Sequence, residues 1–190
     1  MTNGAETGHL LGGTHYSESS VQAYAQARHG PDGAKFLDPV FMPLLGGLQN
    51  KTVIDIGCGA GPWAKYAILV GGASQVLGVD INMGMLTQAQ SATSKVDAVY
   101  LVQANAGTLP VMGDSFDRAL SINVGCNLPT GILEAHFQEM QRVLRPGGTA
   151  IVTAPTSFGV TFTNGTDQSQ VDKHIEEVLV KIDDPERAIG

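Results

Sequence analysis

Two stretches of the chain combine glycine and aspartate at a spacing that permits ligand chemistry. Residues 53–61 read Val-Ile-Asp-Ile-Gly-Cys-Gly-Ala-Gly, and residues 76–81 read Val-Leu-Gly-Val-Asp-Ile. The first is an apolar run that ends in a turn with three glycines, Gly57, Gly59 and Gly61. Without a Cβ, these residues let the backbone turn sharply and approach a ligand closely. Asp80 falls at the tip of the second apolar run, where folds of this kind bind ribose hydroxyls, so the two stretches predict half of a nucleotide-binding βαβ unit.

Asp55, inside the first run, distinguishes two classes of cofactor. A dinucleotide fold presents pyrophosphate to this turn and requires G-x-G-x-x-G, whereas this turn reads G-x-G-x-G and continues with Pro62. A carboxylate just before the turn repels pyrophosphate but attracts a cation, through an amino group or an intervening water. S-Adenosylmethionine (SAM) carries an ammonium and a sulfonium and no phosphate. The turn therefore favours SAM over NAD.

Three later segments extend the pattern. They are Gln103-Ala-Asn-Ala-Gly-Thr-Leu-Pro110, Asp114-Ser-Phe-Asp117 and Glu139-Met-Gln-Arg-Val-Leu-Arg-Pro-Gly-Gly148. In this order and spacing, residues 50–155 resemble the class I SAM-dependent methyltransferases, and within them the type 11 (UbiE/menaquinone-like) group. The resemblance implies SAM as cofactor and S-adenosylhomocysteine as its product. It says little about the methyl acceptor.

The resemblance also implies which residues bind the cofactor. The expected set is Asp55, Gly57, Cys58, Gly59, Gly61, Asp80, Ile81, Asn105, Ala106, Asn123, Tyr24 and Arg28. The glycine turn would wrap the methionine half of SAM, Asp80 would accept hydrogen bonds from both ribose hydroxyls, and Ile81 and Leu109 would sandwich the adenine. The family usually has Asp-Ala where this chain has Asn105-Ala106, and an Asn carbonyl can still accept a bond from the adenine amino group.

Three of these residues keep an alternative interpretation. Asn123 either contacts the methionine end of SAM or only completes its own loop. Tyr24 and Arg28 lie where N-terminal helices of similar enzymes close over SAM, and an arginine there can pair with the methionine carboxylate. An exposed helix face would have the same residue pattern.

No catalytic residue is assigned from the sequence. Methyl transfer from a sulfonium is an in-line displacement, so alignment and exclusion of water supply most of the catalysis. His15, His29 and Cys126 are weak candidates for a general base, and His136 is interpreted as structural. We predict no metal, because no cluster of acids and histidines has ligand spacing.

Composition indicates the number of domains and the class of methyl acceptor to expect. The chain has 190 residues, 43% hydrophobic and 15% charged, with a net charge of -7. This favours one globular domain and disfavours nucleic acid, whose binding depends on clustered positive charge. A small-molecule methyl acceptor is therefore expected. Two cysteines suggest a reduced protein, and no long apolar run or leader is present, so we expect no membrane insertion and a cytoplasmic location.

Alternating strand and helix patterns predict an α/β fold, a Rossmann-like, doubly wound, mostly parallel sheet. The predicted strands are 52–56, 75–79, 98–103, 118–123 and 149–154, and the resemblance implies the order 3-2-1-4-5. The predicted helices are 17–28, a broken stretch at 34–45, one from Pro62, one capped by Asn82, 131–144 and 167–182. Residues 1–48 are expected to form an N-terminal tail and helical cover, and residues 49–190 the SAM-binding domain.

The end of the chain gives a further expectation. The family normally adds two antiparallel strands beside strand five, and the chain ends at Gly190 without room for them. We therefore expect a truncated domain whose strand-five edge is covered by residues 156–166 or paired with a second chain as a homodimer. In the remaining alternative, the chain is a fragment of a longer protein that supplies the hairpin. Besides a methyltransferase, a SAM-binding protein without turnover and, less favoured, an NAD-linked oxidoreductase stay open.

Overall fold

The computed structural model describes residues 17–29, 47–153 and 159–163, and a six-stranded sheet forms the centre of this part. The strands are β1 (Thr52–Ile56), β2 (Gln75–Asp80), β3 (Val99–Gln103), β4 (Phe116–Ile122), β5 (Leu144–Thr153) and β6 (Gly159–Thr163). Their order is β3-β2-β1-β4-β5-β6, with β1 to β5 parallel. The predicted order 3-2-1-4-5 is confirmed.

Helices cover both faces of the sheet, as a doubly wound fold requires. They are α1 (Glu18–His29), α2 (Pro62–Leu69), α3 (Met83–Thr93) and α4 (Thr130–Val143), and a short 3-10 helix spans Gly125–Asn127. Ile54 packs with Phe137 of α4 on one face, and its neighbour Val53 packs with Trp63 of α2 on the other. Adjacent strand residues point to opposite faces, so β1 is apolar on both faces from Val53 to Ile56 except at Asp55.

Local signals define where the two helices after β1 and β2 begin. Pro62 occupies the first turn of α2, where its missing N–H costs nothing. Asn82 caps α3 by accepting a hydrogen bond from the Met85 amide at 3.1 Å. Both predicted starts are confirmed. The predicted helices at 34–45 and 167–182, together with His15, lie outside the described residues.

Helix α1 packs against α3, the helix that follows Asp80. Val21 and Ala25 are buried, and Val21 lies over Gly84, where an added Cβ would be 3.7 Å from Val21 Cγ2. Part of the predicted N-terminal cover therefore sits beside the start of α3. The proposed division of the chain at residue 48 stays a prediction.

The start of β5 differs from the sequence expectation. Helix α4 ends at Val143 and β5 begins directly at Leu144, where Pro146-Gly147-Gly148 was expected only to stop the helix. Phe116 pairs with Leu144 and Arg118 with Thr149, so β5 bulges between these pairs. A bulge accommodates the proline, and Gly147 adopts a φ of 76° there. Tertiary pairing with β4 thus overrides the local stop signal.

A strand follows β5 at the far edge of the sheet, so the expectation that the strands after β5 are missing is wrong for this strand. Residues Gly159–Thr163 pair antiparallel with β5, from Thr149 opposite Thr163 to Thr153 opposite Gly159. Of the segment 156–166 that was predicted to cover this edge, the described residues Gly159–Thr163 do cover it. Pairing of two chains through β5 therefore has no open edge to use. Within the described ranges, no helix is long and apolar enough to cross a membrane.

Candidate cofactor site

The carboxyl ends of β1 to β4 lie at one edge of the sheet, and most of the sequence-predicted site residues follow them. Strand β1 pairs with β2 on one side and β4 on the other, so the strand order reverses at β1. Ligands of open α/β sheets bind in the crevice outside this point. The glycine turn, Asp80, Asn105 and Asn123 come to this edge together.

The glycine turn has a backbone that other residues adopt only with strain. Gly57, Gly59 and Gly61 have φ values of 71°, 54° and 81°. A Cβ at Gly57 would lie 2.4 Å from Val124 Cγ2, and one at Gly61 would lie 3.0 Å from Ala89 Cβ. The turn is thus packed between the segment after β4 and helix α3. The prediction that glycine allows this sharp turn is confirmed by the conformation, and the structure adds that Gly57 and Gly61 are packed closely against other residues of the chain.

Asp80 holds the turn and the start of α3 together. Its Oδ2 accepts a hydrogen bond from the Gly59 amide at 2.8 Å, and its Oδ1 accepts one from the Asn82 amide at 2.8 Å. Burial raises the pKa of this carboxyl, and the backbone donors oppose the rise. Each carboxylate oxygen can accept more than one hydrogen bond, so the carboxylate keeps capacity for a diol in a fixed orientation.

Asp55 is a buried acid whose charge is not satisfied. It is 1% exposed, and its Oδ2 has no hydrogen-bond partner among the described residues. Burial, followed by the negative charge of Asp80, raises the pKa of Asp55 from 3.8 to about 7, although the Ala64 amide donates to it. Such a group costs stability unless it serves a ligand, and perturbed acids of this kind concentrate at functional sites. A cation bound at this edge would favour its ionised form.

Asn105 and Ala106 lie in a tight turn directly after β3. The Ala104 amide donates to the Asp80 carbonyl at 3.1 Å, which brings the turn to the same edge. The Asn105 side-chain oxygen accepts from the Gly107 amide at 2.8 Å, and its backbone carbonyl accepts from the Thr108 amide at 3.0 Å. The side chain is therefore already oriented, and its oxygen has a second lone pair for a ligand.

Asn123 has a structural role in its own loop. Its φ is 59°, a conformation that asparagine tolerates better than most residues. Its amide donates to the carbonyl and hydroxyl oxygens of Thr153 at 3.0 and 3.1 Å. Its carbonyl accepts from Asn127 Nδ2 at 3.0 Å. The interpretation that Asn123 completes its loop is confirmed, and contact with SAM stays a prediction.

The remaining expected residues differ in accessibility. Ile81 is 37% exposed at the edge, whereas Leu109, its expected partner around adenine, is 5% exposed and packs in the sheet core. Cys58 is buried, and burial raises the pKa of its thiol. Tyr24 and Arg28 occur on α1, and their proposed closure over the cofactor stays a prediction. In the described part of the chain, no three metal-ligand side chains cluster.

Sequence reasoning missed three residues that support this edge. His136, Glu139 and Arg142 of α4 all bind the segment after β3. His136, interpreted from the sequence as structural, is completely buried, and the sequence did not indicate its contact with the segment after β3. The missed signal was the spacing of three residues between His136, Glu139 and Arg142, which places them on one side of α4.

The fold and this edge define the class of protein. Residues 53–148, just over half of the chain, match the family model described as a methyltransferase domain. The chain belongs to this family of SAM-dependent methyltransferases. The predicted resemblance to the type 11 group and the predicted cofactor, SAM, are both confirmed.

Named relatives agree with the family. The chain is 30% identical over 123 residues to the demethylmenaquinone methyltransferase of Bacillus licheniformis, covering 62% of this chain and 52% of the relative. It is 40% identical over 107 residues to the ubiquinone/menaquinone biosynthesis C-methyltransferase UbiE of Hahella chejuensis, covering 54% and 42%. The chain thus spans about half the length of the curated relatives it matches.

A solved structure gives the same result for the fold. The phosphoethanolamine N-methyltransferase 2 of Haemonchus contortus, in complex with phosphomonomethylethanolamine and S-adenosylhomocysteine, superimposes with a TM-score of 0.66. The identity is 25%, and the match covers 74% of this chain and 34% of that one.

Proposed function

We propose that this chain binds SAM and transfers its methyl group to a small-molecule acceptor. The observation that carries the proposal is the presence of two acids at the sheet edge. Asp80 is oriented by two backbone amides, and Asp55 is buried with no partner for its Oδ2 among the described residues. The first suits a ribose diol and the second a cation. SAM contains both groups, whereas NAD would bring a pyrophosphate to the same carboxylates.

Each part of the edge has a role in this proposal. Bound SAM supplies an electrophilic methyl group on a sulfonium. Asp80 binds the ribose, Asp55 stabilises the positive charge of the methionine half, and Asn105 and Ala106 recognise the adenine. The glycine turn brings its backbone to the cofactor in a conformation that glycine adopts without strain. These residues align the cofactor and exclude water, which is the main requirement of an in-line transfer.

A quinol is the first acceptor to test. Two of the relatives are named as quinone-biosynthesis methyltransferases, one acting on demethylmenaquinone. The net charge of -7 favours a neutral or cationic small molecule over nucleic acid. No residue is assigned as a general base in this proposal.

The test has two stages. Calorimetric titration with SAM, S-adenosylhomocysteine and NAD should give saturable binding of the first two and none of NAD. Release of S-adenosylhomocysteine is then followed with reduced demethylmenaquinone as acceptor and SAM near its wild-type dissociation constant, where the Asp80→Ala control should lower turnover by at least about tenfold. Binding of NAD in place of SAM would contradict the proposal at its first stage. Cofactor binding without turnover on a panel of quinols would contradict the proposed acceptor.

A further inference from the structure

Helix α4 holds the backbone of the segment after β3 with three side chains. His136 Nδ1 lies 3.3 Å from the Ala106 carbonyl oxygen. Glu139 Oε2 accepts from the Leu109 amide at 2.6 Å, and Arg142 donates to the carbonyls of Leu109 and Val111 at 3.2 and 2.9 Å. Residues three apart lie on one side of a helix. The α4 row, as we name His136, Glu139 and Arg142, therefore binds four backbone groups of residues 106–111.

The hydrogen bonds of His136 define its tautomer. The ring is fully buried, and burial lowers its pKa from 6.5 to about 4, so it is neutral near pH 7. A carbonyl oxygen only accepts, so Nδ1 carries the proton and donates to Ala106. Nε2 is then an acceptor for the Ser121 hydroxyl at 2.8 Å. The ring thus links strand β4 to the segment after β3.

The segment lies directly on α4. A Cβ at Gly107 would be 3.2 Å from Ala135 Cβ and 3.3 Å from Ile132 Cγ2. Glu139 pairs with Arg142, whose hydrogen bond lowers the pKa of Glu139 and keeps it ionised as an acceptor. No helix occurs between β3 and β4. The shape of this connection therefore depends on contacts with α4 as well as on its own turn at Asn105–Thr108.

One peptide unit transmits the position of His136 to Asn105. The carbonyl of the Ala106–Gly107 peptide accepts from His136, and the amide of the same peptide donates to the Asn105 side-chain oxygen. A peptide unit is planar and rigid. Movement of the carbonyl end therefore rotates the group that orients Asn105.

We propose that the α4 row consists of positioning residues for recognition of the cofactor's nucleobase, with His136 setting the orientation of Asn105 through the Ala106–Gly107 peptide. The inference rests on the proposed function, because the base that is recognised is the adenine of SAM. His136 does not touch the cofactor itself.

A matched pair of substitutions separates positioning from packing. In His136→Asn the amide nitrogen stands near the position of Nδ1 and can still donate to Ala106. In His136→Gln it stands near Nε2 and can reach only Ser121. Both variants lose volume and one buried hydrogen bond, so both lower stability. Only the Gln variant releases the peptide that orients Asn105.

The readout is the contribution of adenine to affinity. Calorimetry gives the dissociation constants of S-adenosylhomocysteine and of S-ribosylhomocysteine, which lacks the base. The constant for S-ribosylhomocysteine divided by that for S-adenosylhomocysteine measures the contribution of adenine. We expect His136→Gln to reduce this ratio about tenfold, the effect of one misplaced hydrogen bond, and His136→Asn to leave it within about twofold of wild type. A purely structural role changes the stability of both variants and leaves both ratios at the wild-type value.

Two further variants complete the experiment. Thr52→Val disrupts a cluster at the opposite edge of the sheet, where the Thr52 hydroxyl binds Asp117 and Arg145, and controls for general destabilisation. Arg142→Met removes two hydrogen bonds to the segment from a side chain that is 39% exposed, and it should also lower the ratio. It serves as the test variant if His136→Gln does not fold.

The outcomes are distinct. Absence of S-adenosylhomocysteine binding by folded wild-type protein contradicts the proposed function. Wild-type binding without any preference for the adenine-containing ligand contradicts the inference alone. Equal ratios in wild type, His136→Gln and Arg142→Met also overturn it, as does an equal loss in Thr52→Val.

Discussion

The buried Asp55 carboxylate makes cofactor affinity depend on pH near neutrality. Its pKa is raised to about 7 by burial and by Asp80, and a bound cation stabilises only the ionised form. Below pH 7 the proton must leave before the cation binds, so affinity falls about tenfold for each pH unit. Between pH 7, where about half of the Asp55 carboxyls are ionised, and pH 5, the dissociation constant should rise about 50-fold, or about 2.3 kcal/mol. Asp80 and the neutral thiol of Cys58 are the other titratable groups that influence this carboxyl or respond to it.

The assay is calorimetric titration with S-adenosylhomocysteine, whose ammonium stays protonated over this range because it lies beside a free carboxylate, as in any amino acid. Titration in two buffers of different ionisation enthalpy should show release of one proton per ligand below pH 7. Asp55→Asn removes the titrating group and should flatten the profile, although protonation of Asp80 leaves some loss at the acidic end. A wild-type constant that stays within about twofold from pH 7 to pH 5, in protein shown to be folded, would refute the reasoning.

The Asp55 carboxyl also makes stability depend on pH, in the opposite direction from an acid whose pKa is lowered by a salt bridge. Its folded-state pKa of about 7 lies above the 3.8 of the unfolded chain, so the folded state binds more protons between these values. Stability is therefore lost as pH rises from about 4 to 7, by about 4 kcal/mol. The unfolding free energy of Asp55→Asn minus that of wild type should therefore be about 4 kcal/mol larger at pH 8 than at pH 4. Urea unfolding at both pH values measures this, and a constant difference would contradict the assigned pKa.

Three further substitutions test the rest of the site. Asp80→Ala should weaken S-adenosylhomocysteine binding by about 2–3 kcal/mol in calorimetry, and should also lower the unfolding free energy because two backbone amides lose their acceptor. Asn105→Asp should keep or tighten binding, since a charged acceptor is stronger, whereas Asn105→Leu should weaken it; equal affinities would show that the side chain faces elsewhere. Gly57→Ala should destabilise the fold by about 2–3 kcal/mol in urea unfolding, because of its φ of 71° and the contact with Val124, and Val124→Ala should recover part of the loss.

Local features of the sequence were sufficient for the elements around the glycine turn. Strand β1 has the predicted limits, α2 begins at Pro62, and α3 is capped by Asn82. These signals depend on residues within one or two turns of each other, so they do not need the rest of the chain. The alternation of such elements also determines the parallel sheet, because consecutive parallel strands require a crossover on one face.

Contacts between distant residues were decided only by the tertiary structure. The bulge of β5 arises from pairing with β4, and Leu109 is buried because α4 draws its segment onto the core. His136 and Ala106 are thirty residues apart, and only the packing of α4 on the sheet brings them to 3.3 Å. The sequence indicated Asp55 as the group for a cation from its place before the turn. Its raised pKa came from complete burial beside a second acid, which depends on every element that excludes water from that point.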